Sequence, residues 1–193
     1  MRIVSWNVRG LGNAAKRRGV RDVLRQQRCD MVFLLESKLE KVSAELVASL
    51  WFSDSFEFSF EPSVGASGEI VVIWEVARFR LIESAVLPHA MVVCGRWLLE
   101  EFDCVLVAVY APCGGHEQRE VWDMLESFLS AKVDRAWCVA GDFNVVRWSS
   151  ERAGCFRMSP FMTVFSEFID RVGLVDLPLL GKRFTWFGPS NRL

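Results

Sequence analysis

The first fifty residues alternate between short apolar runs and segments whose apolar residues recur at helical spacing. Arg2 to Asn7 predicts a strand, and Asn13 can cap a following helix that extends through Gln27. Three apolar residues share one face of that helix: Val20, Val23 and Leu24. Met31 to Leu35 is a continuous apolar run, which is typical of a strand covered on both faces. The next apolar residues repeat at helical spacing and predict a second helix: Val42, Leu46, Val47 and Leu50.

From Phe56 onward the pattern changes to short runs that are typical of β-strands. Five runs follow one another: Phe56–Phe60, Ile70–Trp74, Leu81–Val86, Met91–Leu99 and Val105–Tyr110. The spacing then predicts a helix near Glu117 to Ser130 and a buried strand from Ala136 to Ala140, which ends at Gly-Asp-Phe-Asn.

Ser159 and Pro160 form a cap and a first-turn proline, so they predict a helix that Gly173 stops after Val172. Its predicted buried stripe is apolar throughout: Phe161, Val164, Phe165, Phe168 and Ile169. One more strand is predicted at Phe184–Phe187. With no repeat or linker, the pattern predicts one α/β domain over residues 1–193, in which helices flank layers of strands.

Composition favours a folded protein inside the cell. Of the 193 residues, 51% are hydrophobic, and the formal charge is -1, so disorder is not expected. The longest nearly unbroken apolar run, Cys104 to Cys113, is about half of the roughly 20 residues that a membrane-spanning helix needs. The first residues lack the pattern of a secretory signal. We therefore expect an intracellular protein, nuclear or cytoplasmic, with no membrane partner.

Cysteine and histidine offer little metal chemistry. The six cysteines contain no Cys-x-x-Cys pair, and we expect buried free thiols rather than disulfides. The two histidines, His89 and His116, are too few for a histidine-rich site. Any metal would therefore bind oxygen ligands.

A basic stretch interrupts the near-neutral charge balance. Between positions 9 and 28 only Asp22 is acidic, against seven basic residues: Arg9, Lys16, Arg17, Arg18, Arg21, Arg25 and Arg28. Such a run either meets a polyanion or forms a solvated helix face.

Polar residues follow four of the predicted buried strands. Asn7, Glu36 and Tyr110 each end one strand, and Asp142 with Asn144 follows another. Loops at strand ends converge in layered α/β folds, so these groups are candidates for one oxygen-ligand site of the Mg²⁺ type. Taken singly, each has a simpler interpretation: Asn7 can cap a turn, Glu36 can pair with Lys38 or a neighbouring arginine, and Asp142 can form an Asx-turn with Asn144.

The chain resembles the endonuclease/exonuclease/phosphatase family over nearly its whole length. Five segments carry the resemblance: Ser-Trp-Asn-Val-Arg-Gly-Leu-Gly (5–12), Leu-Glu-Ser-Lys (35–38), Val-Tyr-Ala-Pro (109–112), Gly-Asp-Phe-Asn (141–144), and Gly-Leu-Val-Asp-Leu-Pro-Leu with Phe-Thr-Trp (173–186). Within the family it is most similar to the endonuclease domain of plant non-LTR (LINE-type) retrotransposons.

The resemblance implies a four-layer α/β sandwich, two packed mixed sheets flanked by helices, and Mg²⁺- or Mn²⁺-dependent cleavage of DNA phosphodiesters without a small-molecule cofactor. Glu36 would bind the metal, Asn7 would support metal and phosphate, and Tyr110 would contact the phosphate. Asp142 would orient and deprotonate the attacking water, and Asn144 would steady the phosphate oxygens. The basic stretch then becomes a candidate DNA contact, through five residues above all: Arg9, Lys16, Arg17, Arg18 and Arg21.

Two departures from the family pattern qualify this interpretation. Arg9 stands where abasic-site repair endonucleases carry an acidic residue, which favours the retroelement type over a repair enzyme. The family's final Arg-x-Asp strand and Ser-Asp-His segment have no counterpart at the end of these residues, so we expect a domain without its last strands and with impaired activity. His116, in a predicted loop, is a weak candidate to replace the missing histidine.

Three functions stay open from the sequence: a metal-dependent DNA endonuclease domain of retrotransposon origin, an inert relic that at most binds nucleic acid, and a phosphatase of the same superfamily. The Arg-Gly-Leu-Gly and Asp-Leu-Pro-Leu motifs argue against the phosphatase. Oligomeric state is left open.

Overall fold

Within residues 1–61, 70–131, 135–178 and 184–185, which this computed structural model describes, the strands form two four-stranded sheets. The first sheet contains β1 (Ile3–Asn7), β2 (Met31–Leu35), β3 (Phe56–Phe60) and β4 (Val71–Glu75), in the order β1-β2-β4-β3. The β1 and β2 strands are parallel, and the other neighbours are antiparallel. The first sheet is therefore mixed.

The second sheet repeats this arrangement with its parallel pair at the opposite end of the strand order. It contains β5 (Phe79–Leu87), β6 (Ala90–Trp97), β7 (Phe102–Tyr110) and β8 (Ala136–Asp142), in chain order. The β5, β6 and β7 strands are antiparallel, and β7 and β8 are parallel. Both sheets belong to a compact unit made of Met1–Pro112 and Asp134–Phe143.

Two apolar cores hold this unit together. Alternate residues of β2 and β4 pack against the second sheet, with Phe33, Leu35 and Trp74 meeting Val93 and Leu106. The intervening residues face the helices α1 (Ala14–Gln27) and α2 (Ala44–Leu50). The first sheet is thus buried on both faces, which explains why Met31–Leu35 is apolar at every position.

Side chains cap the first turns of both α1 and α2, and the cap of α1 at Asn13 is the predicted one. The Asn13 Oδ1 accepts a hydrogen bond from the Ala15 N–H at 2.7 Å, and the Ser43 Oγ accepts one from the Leu46 N–H at 3.3 Å. The prediction that Val23 shares the buried face of α1 is wrong, because Val23 is exposed while Val20 and Leu24 are buried. Val23 lies at the margin of the apolar stripe, where the face turns to solvent.

The second compact unit contains Cys113–Val133 and Asn144–Leu193. Its described helices are α3 (Gly115–Ser130) and α4 (Pro160–Arg171), with a single 3-10 turn at Ser149–Glu151. The two helices pack through Trp122, whose ring lies 5.0 Å from Phe165 and 5.3 Å from Phe168 between centroids. Phe161, predicted to be buried, is 51% exposed, because the first turn of α4 extends beyond this aromatic cluster.

The predicted fold class is confirmed: the chain is an α/β protein with two mixed sheets and flanking helices. No helix among the described residues is long and apolar enough to cross a membrane. None of the six cysteines forms a disulfide bond, as predicted. The prediction that they are buried is confirmed for Cys29, Cys94 and Cys104, whereas Cys138 and Cys155 are half-buried and Cys113 is exposed. Phe184 and Thr185 do not form the predicted strand, and Trp186 and Phe187 lie outside the described residues.

Candidate active site

The parallel strand pairs bring four of the predicted site residues to the carboxyl ends of the sheets. In the first sheet Asn7 is in register with Leu35, so Glu36 is the next residue along β2. In the second sheet Tyr110 is in register with Asp142. Each parallel pair therefore presents two polar side chains at the same edge.

Two hydrogen bonds connect these edges across the sheets. The Asn7 Nδ2 donates to the Asp142 Oδ2 at 3.0 Å, and the Tyr110 hydroxyl donates to the Glu36 Oε2 at 3.3 Å. Both bonds join a residue of the first sheet to one of the second. The structure thus brings Asn7, Glu36, Tyr110 and Asp142 together, while their catalytic roles stay predictions.

The partners of Asn7 fix the orientation of its amide. Its Oδ1 accepts the Arg9 N–H at 3.2 Å, and its Nδ2 donates to Asp142. A main-chain N–H only donates and an ionised carboxylate only accepts, so the reversed amide would lose both bonds. The amide oxygen consequently keeps one lone pair for another ligand.

The loops that follow β1 and β2 are hydrogen-bonded to each other next to Asn7 and Glu36. Main-chain hydrogen bonds join them residue by residue, from the Gly10 N–H to the Glu36 carbonyl at 2.6 Å and from the Leu11 N–H to the Ser37 carbonyl at 2.8 Å. Glu36 and Lys38 both have a positive φ, at 55° and 56°. Non-glycine residues adopt this conformation at a cost of about 1–3 kcal/mol, and such strain is often found at functional sites.

Glu36 also has a charged neighbour. Its Oε1 lies 3.2 Å from the Lys38 Nζ, and the carboxylate side chain is 23% exposed. This is the ion pair that the simpler interpretation of Glu36 expects. Since the pair uses one carboxylate oxygen and Tyr110 the other, each oxygen still retains acceptor capacity.

The donors fit Mg²⁺ better than a softer metal. Among the described residues, no cluster of three or more His, Cys, Asp or Glu side chains could hold a metal ion. Mg²⁺ in phosphoryl-transfer sites keeps several waters and binds one or two carboxylates together with substrate phosphates. The Glu36 carboxylate and the free lone pair of Asn7 Oδ1 are donors of this kind.

Asn144 lies in the second compact unit. It has a φ of 50°, and its carbonyl accepts a hydrogen bond from Gln118 Nε2 at 3.4 Å. Gln118 is 3% exposed and was not predicted as a site residue from the sequence. The available signal was a glutamine at the head of the apolar stripe of α3, which continues with Val121, Trp122 and Leu125.

The prediction that His116 lies in a loop is wrong. It belongs to the first turn of α3, where its side chain is 90% exposed and its Nδ1 lies 3.7 Å from Glu120. The helix begins earlier than predicted, at Gly115, with Gly114 as its N-cap residue.

The predicted DNA-contact residues divide into two groups. The Arg17 Nη1 donates to the Leu11 carbonyl at 2.8 Å, and the Lys16 Nζ donates to the Arg9 carbonyl at 2.9 Å. These two side chains brace the loop after β1. The other three are exposed, as Lys16 is: Arg9, Arg18 and Arg21.

The sequence profile described as "Endonuclease/Exonuclease/phosphatase family" matches residues 4–188. The chain belongs to that family. Enzymes of the family generally use divalent metals. No curated protein sequence matches this chain significantly.

Solved structures share the fold at low sequence identity. AP endonuclease LMAP from Leishmania major is 18% identical with a TM-score of 0.61, over 88% of this chain and 66% of that one. A mannosyl-6-phosphatase from Bacteroides thetaiotaomicron is 14% identical with a TM-score of 0.61, over 86% and 69%. TDP2 from D. rerio, complexed with a single-strand DNA product, is 18% identical with a TM-score of 0.58, over 89% and 64%.

The chain spans less than two thirds of the TDP2 structures, 62% of a humanized D. rerio form and 64% of the DNA complex. The structures that share the fold include an AP endonuclease and a mannosyl-6-phosphatase, so the fold alone does not select the substrate.

Proposed function

We propose that this chain hydrolyses phosphodiester bonds of DNA with Mg²⁺ or Mn²⁺, as the endonuclease domain of a LINE-type retrotransposon. The observation that carries the proposal is the pair of hydrogen bonds between the two sheets, from Asn7 to Asp142 and from Tyr110 to Glu36. They gather two carboxylates, an amide and a phenol at one edge, a set that suits a phosphodiester and an attacking water.

In this proposal Glu36 holds the metal with support from Asn7 Oδ1. A bound Mg²⁺ would stabilise charge on a phosphoryl oxygen and acidify a water molecule. Asp142 orients the attacking water and accepts its proton, and Asn7 holds the carboxylate in place through Oδ2. Tyr110 contacts the phosphate, and Asn144 is assigned as a donor to phosphate oxygens.

DNA binding is assigned to the exposed basic residues of the first unit. Arg9 follows Asn7 by two residues, and Arg18 and Arg21 lie on the exposed part of α1. Arginine contacts to phosphates give affinity that is independent of sequence and sensitive to salt. Lys16 and Arg17 contribute by bracing the loop that carries Arg9.

The test is nicking of supercoiled plasmid DNA with Mg²⁺, with Mn²⁺ and with a chelator. We expect nicking that needs the metal and stops when the chelator is added. Asp142→Asn and Glu36→Gln should each lower the rate about 100-fold or more, because they remove a proton acceptor and a metal ligand.

Glu40→Gln, a change at an exposed carboxylate of the same loop, is the matched control. Metal-dependent nicking that survives both Asp142→Asn and Glu36→Gln would contradict the proposal. Binding of DNA without nicking would instead favour the inert relic. Hydrolysis of p-nitrophenyl phosphate in place of DNA would favour the phosphatase, since the same donors suit a phosphomonoester.

A further inference from the structure

Trp148 differs from the other tryptophans that the structure describes. Its side chain is 48% exposed, whereas the remaining described tryptophans are buried or half-buried. Most tryptophans of the chain therefore pack in cores, as expected for so large an apolar side chain. The exposure of Trp148 needs a separate explanation.

The position of Trp148 is fixed by several contacts within the second unit. The Arg147 guanidinium lies 5.1 Å from the centre of the Trp148 ring, and its Nε donates to the Ser166 Oγ at 3.3 Å while its Nη2 pairs with Asp170. The Glu151 Oε2 accepts the main-chain N–H groups of Arg147 at 2.9 Å and of Trp148 at 3.1 Å.

These contacts reduce the entropy that ligand binding would cost. Arg147 is only 15% exposed in its side chain, so the cation beside the indole is part of the packed structure. A fixed ring with exposed surface loses little conformational freedom when a second flat ring stacks on it. Trp148 thus has the properties of a prepared stacking surface.

The surrounding sequence supplies charge that complements a nucleic acid. Arg152 and Arg157 are exposed, and Phe156 is 91% exposed. Glu151 is the only acidic residue from 147 to 157, and its carboxylate already accepts two main-chain N–H groups. Stacking aromatic rings among arginines are the usual means of binding single strands, whose bases are free to stack.

We propose that Trp148 stacks on an unpaired base of single-stranded DNA, with Arg152 and Arg157 contacting the adjacent phosphates. The inference rests on the proposed function in that it takes the ligand to be nucleic acid. The role of Trp148 differs from that of Arg18 and Arg21. Phosphate contacts bind duplex and single-stranded DNA alike, whereas stacking on Trp148 needs an unpaired base, because bases inside a duplex are already stacked.

The test compares the full chain with Trp148→Ala and Trp148→Phe in a chelating buffer at fixed low salt. Fluorescence anisotropy measures the Kd for a labelled 16-nucleotide oligo-dT and for a labelled duplex of equal length. Trp148→Ala should weaken single-strand binding about tenfold, the effect typical of one stacked base, and change duplex binding less than twofold. Trp148→Phe should keep most of the affinity, since it retains a stacking ring.

Two control variants complete the design. Leu99→Ala removes an exposed apolar side chain of the first unit and should leave both Kd values unchanged. Arg18→Ala with Arg21→Ala should weaken duplex and single-strand binding alike. Tryptophan fluorescence gives a second readout, because the quenching caused by oligo-dT should be smaller in Trp148→Phe than in the natural chain.

The inference is overturned if the natural chain does not bind oligo-dT, if Trp148→Ala binds it normally, or if the variant loses duplex binding equally. Because no metal is present, nicking does not enter the measurement. If Trp148→Ala weakens oligo-dT binding as expected but the natural chain never nicks DNA, only the proposed function is contradicted. If the natural chain nicks DNA but Trp148→Ala binds oligo-dT normally, only the inference is contradicted.

Discussion

Asn7 links the two sheets and the following loop at the candidate site. It ends β1, its amide donates to Asp142 of the second sheet, and its oxygen accepts the Arg9 N–H of the following loop. An aspartate here would place a second carboxylate against Asp142, and an alanine would leave its Oδ2 without this donor. Asparagine is the residue that satisfies both neighbours and still offers a lone pair.

Glu61 is a second residue whose surroundings determine its chemistry. It follows β3, and burial raises its pKa from the ordinary 4.5 to about 7. Because the folded state binds the proton more tightly than the unfolded state, the stability it contributes is present below pH 4.5 and is lost as the pH rises through 7.

We expect Glu61→Gln to remove this decline, because glutamine has a similar shape and does not ionise. The free energy of unfolding of the natural chain should fall by about 1–2 kcal/mol more than that of the variant between pH 4.5 and pH 8, after allowance for solvent screening. Urea unfolding at several pH values measures it. Glu57→Gln, a change at an exposed carboxylate of β3, should behave like the natural chain. An unchanged pH dependence in Glu61→Gln would disprove the expectation.

At the scale of elements, the close approach of β7 and β8 depends on Gly141. A Cβ at this position would lie 1.9 Å from the Val109 carbonyl oxygen, with which Gly141 is in register. The neighbouring atoms belong to the backbone of a central strand and cannot move aside cheaply. The glycine of Gly-Asp-Phe-Asn is thus required by strand spacing, and Asp142 is placed beside Tyr110 as a result.

Gly141→Ala should therefore destabilise the chain strongly, by about 2–4 kcal/mol, because the extra methyl group forces β7 and β8 apart. Thermal or urea unfolding measures the loss. Gly12→Ala is the matched control, since a Cβ there meets nothing within 4 Å, and it should cost less than about 0.5 kcal/mol. Similar stability of the two variants would show that β8 can shift without penalty.

The bounds of strands and helices were predictable where the apolar pattern and the capping residues indicate the same limits. Met31–Leu35 and Phe56–Phe60 have the bounds that their apolar patterns predict, and Ser159 and Gly173 bound α4 as expected. Phe161 was not predictable, because its exposure depends on how far the aromatic cluster around Trp122 extends. Hydrophobic periodicity gives the face of a helix and not the edge of its contact.

At the candidate site, too, local features were predictable from the sequence and contacts between distant segments were not. That Asn7, Glu36, Tyr110 and Asp142 end strands follows from the sequence, since each terminates an apolar run. Which of them touch does not follow, because the pairing of Asn7 with Asp142 depends on how one sheet lies on the other. Gln118 was missed because its hydrogen bond to the Asn144 carbonyl joins residues 26 positions apart.

Over the first compact unit as a whole, polar contacts join the two sheets at both ends of their strands. At the carboxyl ends of the parallel strands lie the hydrogen bonds of the candidate site. At the other end the Arg78 guanidinium bridges Asp30, which precedes β2, at 2.9 Å and Glu100, which precedes β7, at 3.1 Å. The apolar core between these ends is non-directional, so the polar contacts define the register of one sheet on the other.

The metal proposal predicts a change in the stability of the whole molecule. A ligand that binds only the folded state stabilises it, by about 1.4 kcal/mol at ten times its Kd, so Mg²⁺ should raise the Tm by a few degrees. Glu36→Gln should abolish the rise, because it removes the one carboxylate assigned to the metal. Glu40→Gln should preserve it, since that exposed carboxylate is not in the site.

Differential scanning calorimetry, with NaCl at matched ionic strength in place of MgCl₂, separates binding from screening of surface charge. An equal rise in the natural chain and Glu36→Gln would mean that Mg²⁺ binds elsewhere on the folded chain, and Glu36 would then be a partner of Tyr110 and Lys38 only.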